Sequence, residues 1–448
     1  MRTRIILLFV LLCTVVALQA QNAEDALDYR RNAIATMMVY HSEDEFGREI
    51  YDAFKEIPVP DKYDDHNVDI RFVANDNITG VQRNSNGLIK AKYGKVLTAA
   101  EVRKNAEALE DYLNSMDCAK LMVAKWFGLP VFETDSARKN EIGFNTTLIQ
   151  QRGQYNATDV DVNVALQSAR GVAMLSDAGE ELIGNTFMLI NDMTYVTAEE
   201  QAAVAKAIVG VLGAMFDAFV GGDSGKQLSE ITNTIADSYT GFKVKTHSYL
   251  YQLQWNDSIA AVFYNNYYTE TADTAKILAF IQDSTTFRMK YVAHEYEYDG
   301  KSALVGTYTR EELVRMSCTR SMDKNIAALQ LKYEDFKVKT PIYSILTDDR
   351  GRTTGYAAKI GLKEGISEKS KFQVIQRVEN PQTHRTTYRY VATLKPVKGQ
   401  IWDNRYNAVT EQAEGSDLTY TTFKKVSGGE VLPGMLIIEG KYRKVQGE

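Results

Sequence analysis

The sequence predicts an α+β protein, a layered helix/sheet body followed by a C-terminal all-β module that is small and barrel-like. Capping-box spacings mark the starts of helices, and helical and strand-like segments alternate between residues 98 and 196. From about residue 335 the chain changes to short strand-like runs separated by turn glycines, without a long helical pattern.

The amino terminus has the pattern of an export signal. Arg2 and Arg4 precede an apolar run over residues 5–18, which ends at Gln19 and Ala20. A basic start, a short apolar core and a small residue before a polar chain are typical of a secretory signal that is cleaved. We therefore expect cleavage after Ala20 and an exported protein, which is periplasmic, associated with the outer membrane, or secreted.

Two other uses of this segment are disfavoured. An uncleaved anchor needs about twenty apolar residues to span a bilayer, and this run is shorter. A lipid on Cys13 is rejected because Leu12 precedes it and because Cys13 lies in the middle of the apolar core.

The charge composition of the chain argues against one class of partner. Removal of Arg2 and Arg4 leaves 50 basic against 58 acidic residues, a formal charge of −8. A mildly acidic chain without a long basic tract is not expected to bind nucleic acid. The length predicts two or three domains, which we place at 21–198 (α/β), 199–334 (α+β) and 335–448 (β module).

Two cysteines follow the signal, Cys118 and Cys318, too few for a disulfide scaffold. Both lie on predicted helices two hundred residues apart. We favour two separate buried thiols, and one disulfide stays the alternative.

Three pairs have the capping-box spacing, in which a Thr and a Glu satisfy the first turn of a helix: Thr98 with Glu101, Thr197 with Glu200, and Thr309 with Glu312. The first helix is predicted to end at Gly128, and the third near Leu331. A strand is predicted before the first helix, at 68–73, and further strands follow that helix at 144–150 and 182–196, with a helix at 159–178 between them.

The most apolar segment after the signal runs from Ala202 to Val220. Lys206 and Asp217 interrupt it, and charges inside a membrane span are costly. We favour a buried or helix-packing element, with contact to a membrane or a partner as the alternative.

Residues 242–268 are rich in aromatic and β-branched side chains and predict a hairpin, with strands at 242–255 and 259–268 around an Asn-Asp-Ser turn. A short helix at 273–281 and a strand at 287–298 follow. Tyrosines offer flat faces to sugars and peptides, but they also fill hairpin cores. The candidate contact residues are Tyr251, Trp255, Tyr264 and, in the C-terminal module, Trp402.

Successive strands and turns of the C-terminal module are predicted at 361–366, 372–375, 388–394, 400–404 and 434–439. Residues 98–196 also resemble the curli-secretion lipoprotein family in the order of their elements. The resemblance rests on Leu148-Ile-Gln-Gln-Arg152-Gly-Gln-Tyr and Glu181-Leu-Ile-Gly-Asn-Thr-Phe, and residues 361–374 resemble the small barrel of flagellar outer-membrane accessory proteins. It implies an exported envelope-assembly protein, although no Cys follows the signal directly, as the lipidated cysteine of the curli family would require.

No catalytic motif is evident. The segment Gly222-Asp-Ser-Gly is interpreted as a helix terminus, because the partners of a serine nucleophile are missing. Asp64, Asp65 and His66 are interpreted as a polar loop, and His294 as a cross-strand residue. Neither a metal nor a cofactor is predicted.

These observations favour an exported, non-catalytic scaffold or protein-interaction protein of the cell envelope. Other envelope proteins are the expected partners, and oligomerisation stays open. The alternative is an exported glycan- or peptide-binding protein that uses an aromatic surface.

Overall fold

The computed structural model describes residues 32–78, 87–91, 96–129, 143–155, 157–168, 174, 177–196, 239–270, 273–304, 308–382, 386–405, 418–441 and 445–446. The export signal, the Thr197 capping pair, the apolar run at 202–220, the segment at 222–225 and His384 lie outside these residues.

The first sheet contains six of the described strands: Ala33–Tyr40 (β1), Asp64–Asp65 (β2), Phe72–Ala74 (β3), Thr186–Tyr195 (β4), Tyr239–Leu253 (β5) and Met289–Leu304 (β6). Their order is β2-β1-β4-β5-β6, with β3 also paired to β1. β1 is parallel to β2, β3 and β4, whereas β4, β5 and β6 form an antiparallel meander. The sheet therefore joins strands from 21–198 with strands from 199–334.

Helices cover both faces of this sheet. Their bounds are Gly47–Glu56 (α1), Ala99–Ser115 (α2), Cys118–Trp126 (α3), Thr146–Tyr155 (α4), Asp159–Gln167 (α5), Asp177–Gly184 (α6), Asp257–Val262 (α7), Thr274–Gln282 (α8) and Arg310–Lys332 (α9). Short 3₁₀ turns occupy Asn75–Asn77, Glu334–Phe336 and Leu362–Glu364, and a π turn occupies Phe263–Tyr267. Among the described helices, none is both long enough and apolar enough to cross a membrane.

The capping boxes at Thr98 and Thr309 are confirmed, since each Thr accepts from the N–H of its Glu partner and each Glu accepts in return. The helix that begins after Thr98 does not run unbroken to Gly128. Asp117 adopts a left-handed conformation with φ 54°, which an Asp tolerates better than most residues, and this divides the segment into α2 and α3.

Several predicted strands are wrong. Residues 144–150 contribute to helix α4, and residues 259–268 form α7 and the π turn. The predicted helix at 159–178 is divided between α5 and α6, and residues 182–184 belong to α6. The side chain of Asn256 accepts from the N–H groups of Ser258 and Ile259, so it begins a helix instead of a hairpin turn. β5 therefore pairs with β6, which confirms the strand predicted at 287–298.

The C-terminal residues form the predicted barrel. The described strands of the module are Thr340–Thr347 (β7), Thr353–Ala358 (β8), Phe372–Glu379 (β9), Thr386–Pro396 (β10), Thr421–Gly428 (β11), Leu436–Glu439 (β12) and Val445–Gln446 (β13). Strands β7 to β12 are antiparallel to their neighbours, and the pairing of β10 with β11 closes them into a barrel. β13 pairs with β10 in parallel. Residues 361–366 and 400–404 are not strands, because a 3₁₀ turn and an irregular segment bond to each other there. The α+β class is confirmed.

The two faces of the first sheet pack into two apolar cores. The helix-side core lies under α2 and α3 and contains Cys118, while the barrel-side core contains Cys318. The barrel-side core is continuous from the sheet through α9 into the barrel, with Phe187 of β4 packing edge-on against Phe336. Cys118 and Cys318 are buried free thiols, as favoured from the sequence.

A polar contact also fixes the barrel on the body. Glu181 of α6 accepts a hydrogen bond of 2.8 Å from the Tyr388 hydroxyl. Its carboxylate also lies 3.6 Å from Arg377 and 3.9 Å from Lys339, whose side chains are both 1% exposed. Two cations withdrawn from water depend on nearby carboxylate charge, so Glu181 couples the body to the barrel.

A second polar junction joins α9 to the barrel. Asp323 of α9 lies 3.9 Å from the Lys363 ammonium and shares a small cleft with Asp61 and Glu364. The pKa of Asp323 is raised to about 6, chiefly by burial; the Lys363 charge opposes this rise, and the Glu364 and Asp61 charges add to it. Burial likewise raises the pKa of Glu364.

Replacement of the Glu181 carboxylate is expected to loosen the barrel. Glu181→Gln keeps the shape and a hydrogen-bond acceptor but removes the charge facing the two buried cations, at a cost of about 3 kcal/mol. The free energy of unfolding from urea titration measures this loss. The matched control is Glu107→Gln, which removes a carboxylate from an exposed pair with Arg103. Equal stability of the two variants would contradict the coupling.

The pH dependence of stability should report Asp323. Its folded-state pKa is raised above the ordinary value of 3.8, so its contribution is complete below that value and is lost as the pH rises through about 6. The total loss is about 3 kcal/mol. We expect Asp323→Asn to be more stable than the wild type at pH about 7, with a gain that vanishes near pH about 4. Urea titrations of both proteins at several pH values measure this difference, and parallel pH profiles would refute it.

Candidate functional site

A cleft of about 320 Å³ opens over strands β4 and β5 of the first sheet. Asp192 of β4 and His247 of β5 are partners in the antiparallel ladder and both line this cleft. The remaining lining residues are Glu43, Asp44, Glu45, Ile89, Lys90, Ala91, Thr194, Tyr195 and Lys245. The loop after β1 and the segment at 89–91 thus form the walls over a floor made by the sheet.

Behind the floor, Asp192 is paired with His41. Its Oδ1 lies 2.6 Å from His41 Nε2, and both residues are buried. Burial alone would raise the pKa of Asp192, but the charge and the hydrogen bond of His41 outweigh it and lower that pKa. Asp192 is therefore an ionised carboxylate at neutral pH. His41 is held by the tight loop that follows, in which a Cβ at Gly47 would lie 2.1 Å from the His41 carbonyl oxygen.

His247 belongs to a second buried pair. Its Nδ1 lies 3.0 Å from Nε2 of His294 on β6, and the two rings stack. Burial lowers the pKa of His247, and burial together with the neighbouring imidazole lowers that of His294 to about 3. Both rings are therefore neutral at neutral pH, and one of the two facing nitrogens donates to the other.

Asp192 and His247 each have one polar atom that is not hydrogen-bonded within the described part of the chain. Asp192 Oδ2 and His247 Nε2 make no hydrogen bond to any residue in the described part of the chain, and neither atom is sealed from solvent. The two residues are nevertheless only 6% and 5% exposed. A carboxylate oxygen and an imidazole nitrogen thus remain available to a small ligand in the cleft.

The rim adds more negative than positive charge. Glu43, Asp44 and Glu45 precede α1, and Lys90 donates to both Asp44 oxygens at 2.7 and 2.8 Å. With Asp192, the lining has four carboxylates against the ammonium groups of Lys90 and Lys245. The electrostatic potential in the cleft therefore favours a cation.

The two described cysteines are not activated as nucleophiles. Burial raises the pKa of Cys118 and that of Cys318 to about 12, so both thiols stay protonated. His66, predicted in a polar loop, is a core residue that donates from Nε2 to the Met122 carbonyl and stacks on Trp126. Among the described residues, there is no group of three or more His, Cys, Asp or Glu arranged to hold a metal ion.

No family model matches the chain, and no curated protein matches it either. The chemistry of the site is that of a small, acidic cleft whose floor carries one open carboxylate oxygen and one open imidazole nitrogen.

The residues chosen from the sequence do not form one surface. Tyr251 is fully buried, and its hydroxyl donates to the Ala106 carbonyl of α2, because alternate residues of β5 face the helix-side core. Trp255 and Tyr264 are half-buried in an aromatic cluster around Phe127. Trp402 lies in the barrel module, where its N–H and carbonyl bond to Thr421 and Leu362, respectively.

Sequence reasoning missed the residues that the structure brings together. His41 and Asp192 are 151 positions apart, and no motif links them. The available signal was that Asp192 is the single charged residue of the apolar strand β4. An isolated charge in a buried strand requires a partner, but the sequence does not say which residue supplies it.

Burial of two histidine rings predicts how they behave by NMR. The pKa of His66 and that of His294 are both lowered to about 3 by burial, so neither ring should titrate between pH about 5 and 8. Spectra of protein labelled with ¹³C at histidine measure this directly, since the chain has five histidines. His66→Gln and His294→Gln assign the signals, and the urea-unfolded chain is the control. A midpoint near 6.5 for either folded-state signal would show that its ring is not desolvated.

Proposed function

We propose that the protein is an exported, non-catalytic scaffold of the cell envelope that acts by binding other envelope proteins. The basic and apolar amino-terminal segment supports export. The observation that carries the interaction role is an apolar surface on helix α8 and the adjoining end of α2.

This surface, the α8 surface, consists of Met116, Leu278 and Ile281. Their side chains are 42%, 47% and 44% exposed. Leu278 and Ile281 lie three residues apart on one side of α8, while Ile277 and Phe280 of the same helix are buried. Large apolar side chains exposed next to one another, as Leu278 and Ile281 are, mark a candidate surface for binding another protein.

The α8 surface is held in place. The buried Lys120 ammonium donates to the carbonyl oxygens of Ile281 and Asp283 at 2.7 and 2.8 Å, and to the Asp117 carboxylate at 2.9 Å. These bonds fix the end of α8 beside the α2–α3 corner, where Met116 lies. A preformed apolar surface loses little conformational entropy on binding, which favours stable complexes.

The placement of the aromatic residues favours this role over glycan binding. Tyr251 is inside the core, and Trp255 and Tyr264 direct much of their surface to neighbouring rings. The body and the barrel also share a continuous core and the Glu181 contact, which suits a rigid platform.

Cell fractionation, protease shaving of whole cells and affinity capture of the tagged full-length protein test the proposal. We expect the wild type in a protease-protected envelope fraction, with stable partner proteins. Leu278→Glu/Ile281→Glu should reduce the recovered partners at least about tenfold, because each charge must be desolvated at the interface. Each variant is first checked by circular dichroism for wild-type folding.

Leu166→Glu is the matched control, since Leu166 is an exposed leucine on α5. It should retain the partners. A free, secreted monomer without partners would refute the scaffold role, and full recovery of partners by the double variant would show that the α8 surface does not carry it.

A further inference from the structure

At the floor of the acidic cleft, Asp192 and His247 lie opposite each other on neighbouring strands, and each has a polar atom that the described part of the chain does not bond. Asp192 is ionised and shares only Oδ1 with His41, so Oδ2 can accept a second hydrogen bond. A carboxylate at 6% exposure is costly unless its oxygens are satisfied. His41 satisfies one oxygen of Asp192, and the other makes no hydrogen bond within the described part of the chain although the residue lines the cleft.

His247 can adapt to the same ligand. Because His247 and His294 are both neutral, the proton between them can lie on either facing nitrogen. When His247 donates from Nδ1 to His294, its Nε2 becomes an acceptor. A ligand with two or more N–H donors would select this tautomer and bond to both Asp192 and His247.

The charge and the volume of the cleft limit the kinds of ligand that fit it. Glu43 and Glu45 are exposed at the rim, so the four carboxylates of the lining exceed its two ammonium groups. An anion would meet the Asp192 carboxylate, and Lys90 is already bonded to Asp44. The volume of about 320 Å³ suits an ammonium group on a short alkyl chain rather than a folded segment.

We propose that this cleft binds a primary ammonium group, with Asp192 and His247 as acceptors and Glu43 and Glu45 as the attracting rim. The group is carried either by a lysine side chain of a polypeptide or by a free small amine. The site is separate from the α8 surface, so it does not depend on the proposed scaffold role.

Calorimetric titration of the full-length protein after signal removal tests the proposal, with n-butylamine as the free amine and a Gly-Lys-Gly peptide with blocked termini as the polypeptide probe. The neutral controls are n-butanol and the same peptide with an acetylated lysine. We expect the amines to bind at least about tenfold more tightly than the neutral controls and to weaken as salt is added. Tighter binding of the peptide identifies a polypeptide source, and tighter binding of butylamine a free amine.

Three variants locate the site. Asp192→Asn should weaken amine binding by at least about tenfold, because it removes the charge at the floor. Glu43→Gln/Glu45→Gln changes exposed side chains, so it should fold normally and weaken binding about threefold at low salt. Glu107→Gln, an exposed carboxylate on α2 away from the lining, should bind like the wild type.

The rim variant keeps the test decisive if Asp192→Asn fails to fold. Equal affinity for amines and neutral controls, or unchanged affinity in both the floor and the rim variants, would overturn the proposal. Heat exchange with zinc chloride that exceeds the response to amines and is lost in Asp192→Asn would reassign the cleft to a metal ion.

Discussion

The register between β4 and β5 is the constraint on which the rest of the structure depends. It is fixed on the barrel side by a buried polar network, in which Ser248 donates to Asn191 at 2.6 Å and Asn325 of α9 donates to Ser248 at 2.8 Å. Thr246 and Ser321 extend the network with a bond of 2.7 Å. A slip by one residue would reverse the faces of the strand and leave these buried groups unpaired, at a large cost in free energy.

The same register determines what happens on the opposite face. Once Asn191 and Ser248 face α9, their neighbours Asp192 and His247 must face the helix side, because side chains alternate along a strand. The network that attaches α9 to the sheet thus also builds the cleft floor. Since α9 continues into the barrel-side core, the position of the barrel depends on the same register.

The sequence was most informative where local chemistry decides the structure. The capping boxes at Thr98 and Thr309 predicted two helix starts correctly because each is complete within four residues. Residues 144–150 and 259–268 were predicted as strands from their composition, and packing against Phe127 and its aromatic neighbours decided otherwise. The cleft lay beyond sequence reasoning, since it requires the register that brings Asp192 opposite His247.

The two surfaces to which functions are proposed depart from ordinary packing in opposite ways. The α8 surface leaves apolar side chains in water, whereas the cleft floor withdraws a carboxylate and an imidazole from water and leaves one polar atom of each open. Such departures from ordinary packing are expected at functional sites, because a polar pair with a purely structural role would have all its polar atoms hydrogen-bonded within the protein. The two sites also lie towards opposite ends of strand β5. Lys245 and His247 of β5 line the cleft. Helix α8 precedes the start of β6, where Met289 pairs with Leu253 at the other end of β5. Eight residues of strand separate Lys245 from Leu253, about 26 Å. The surface proposed for a protein partner and the cleft proposed for an ammonium group therefore use different residues and different parts of the sheet.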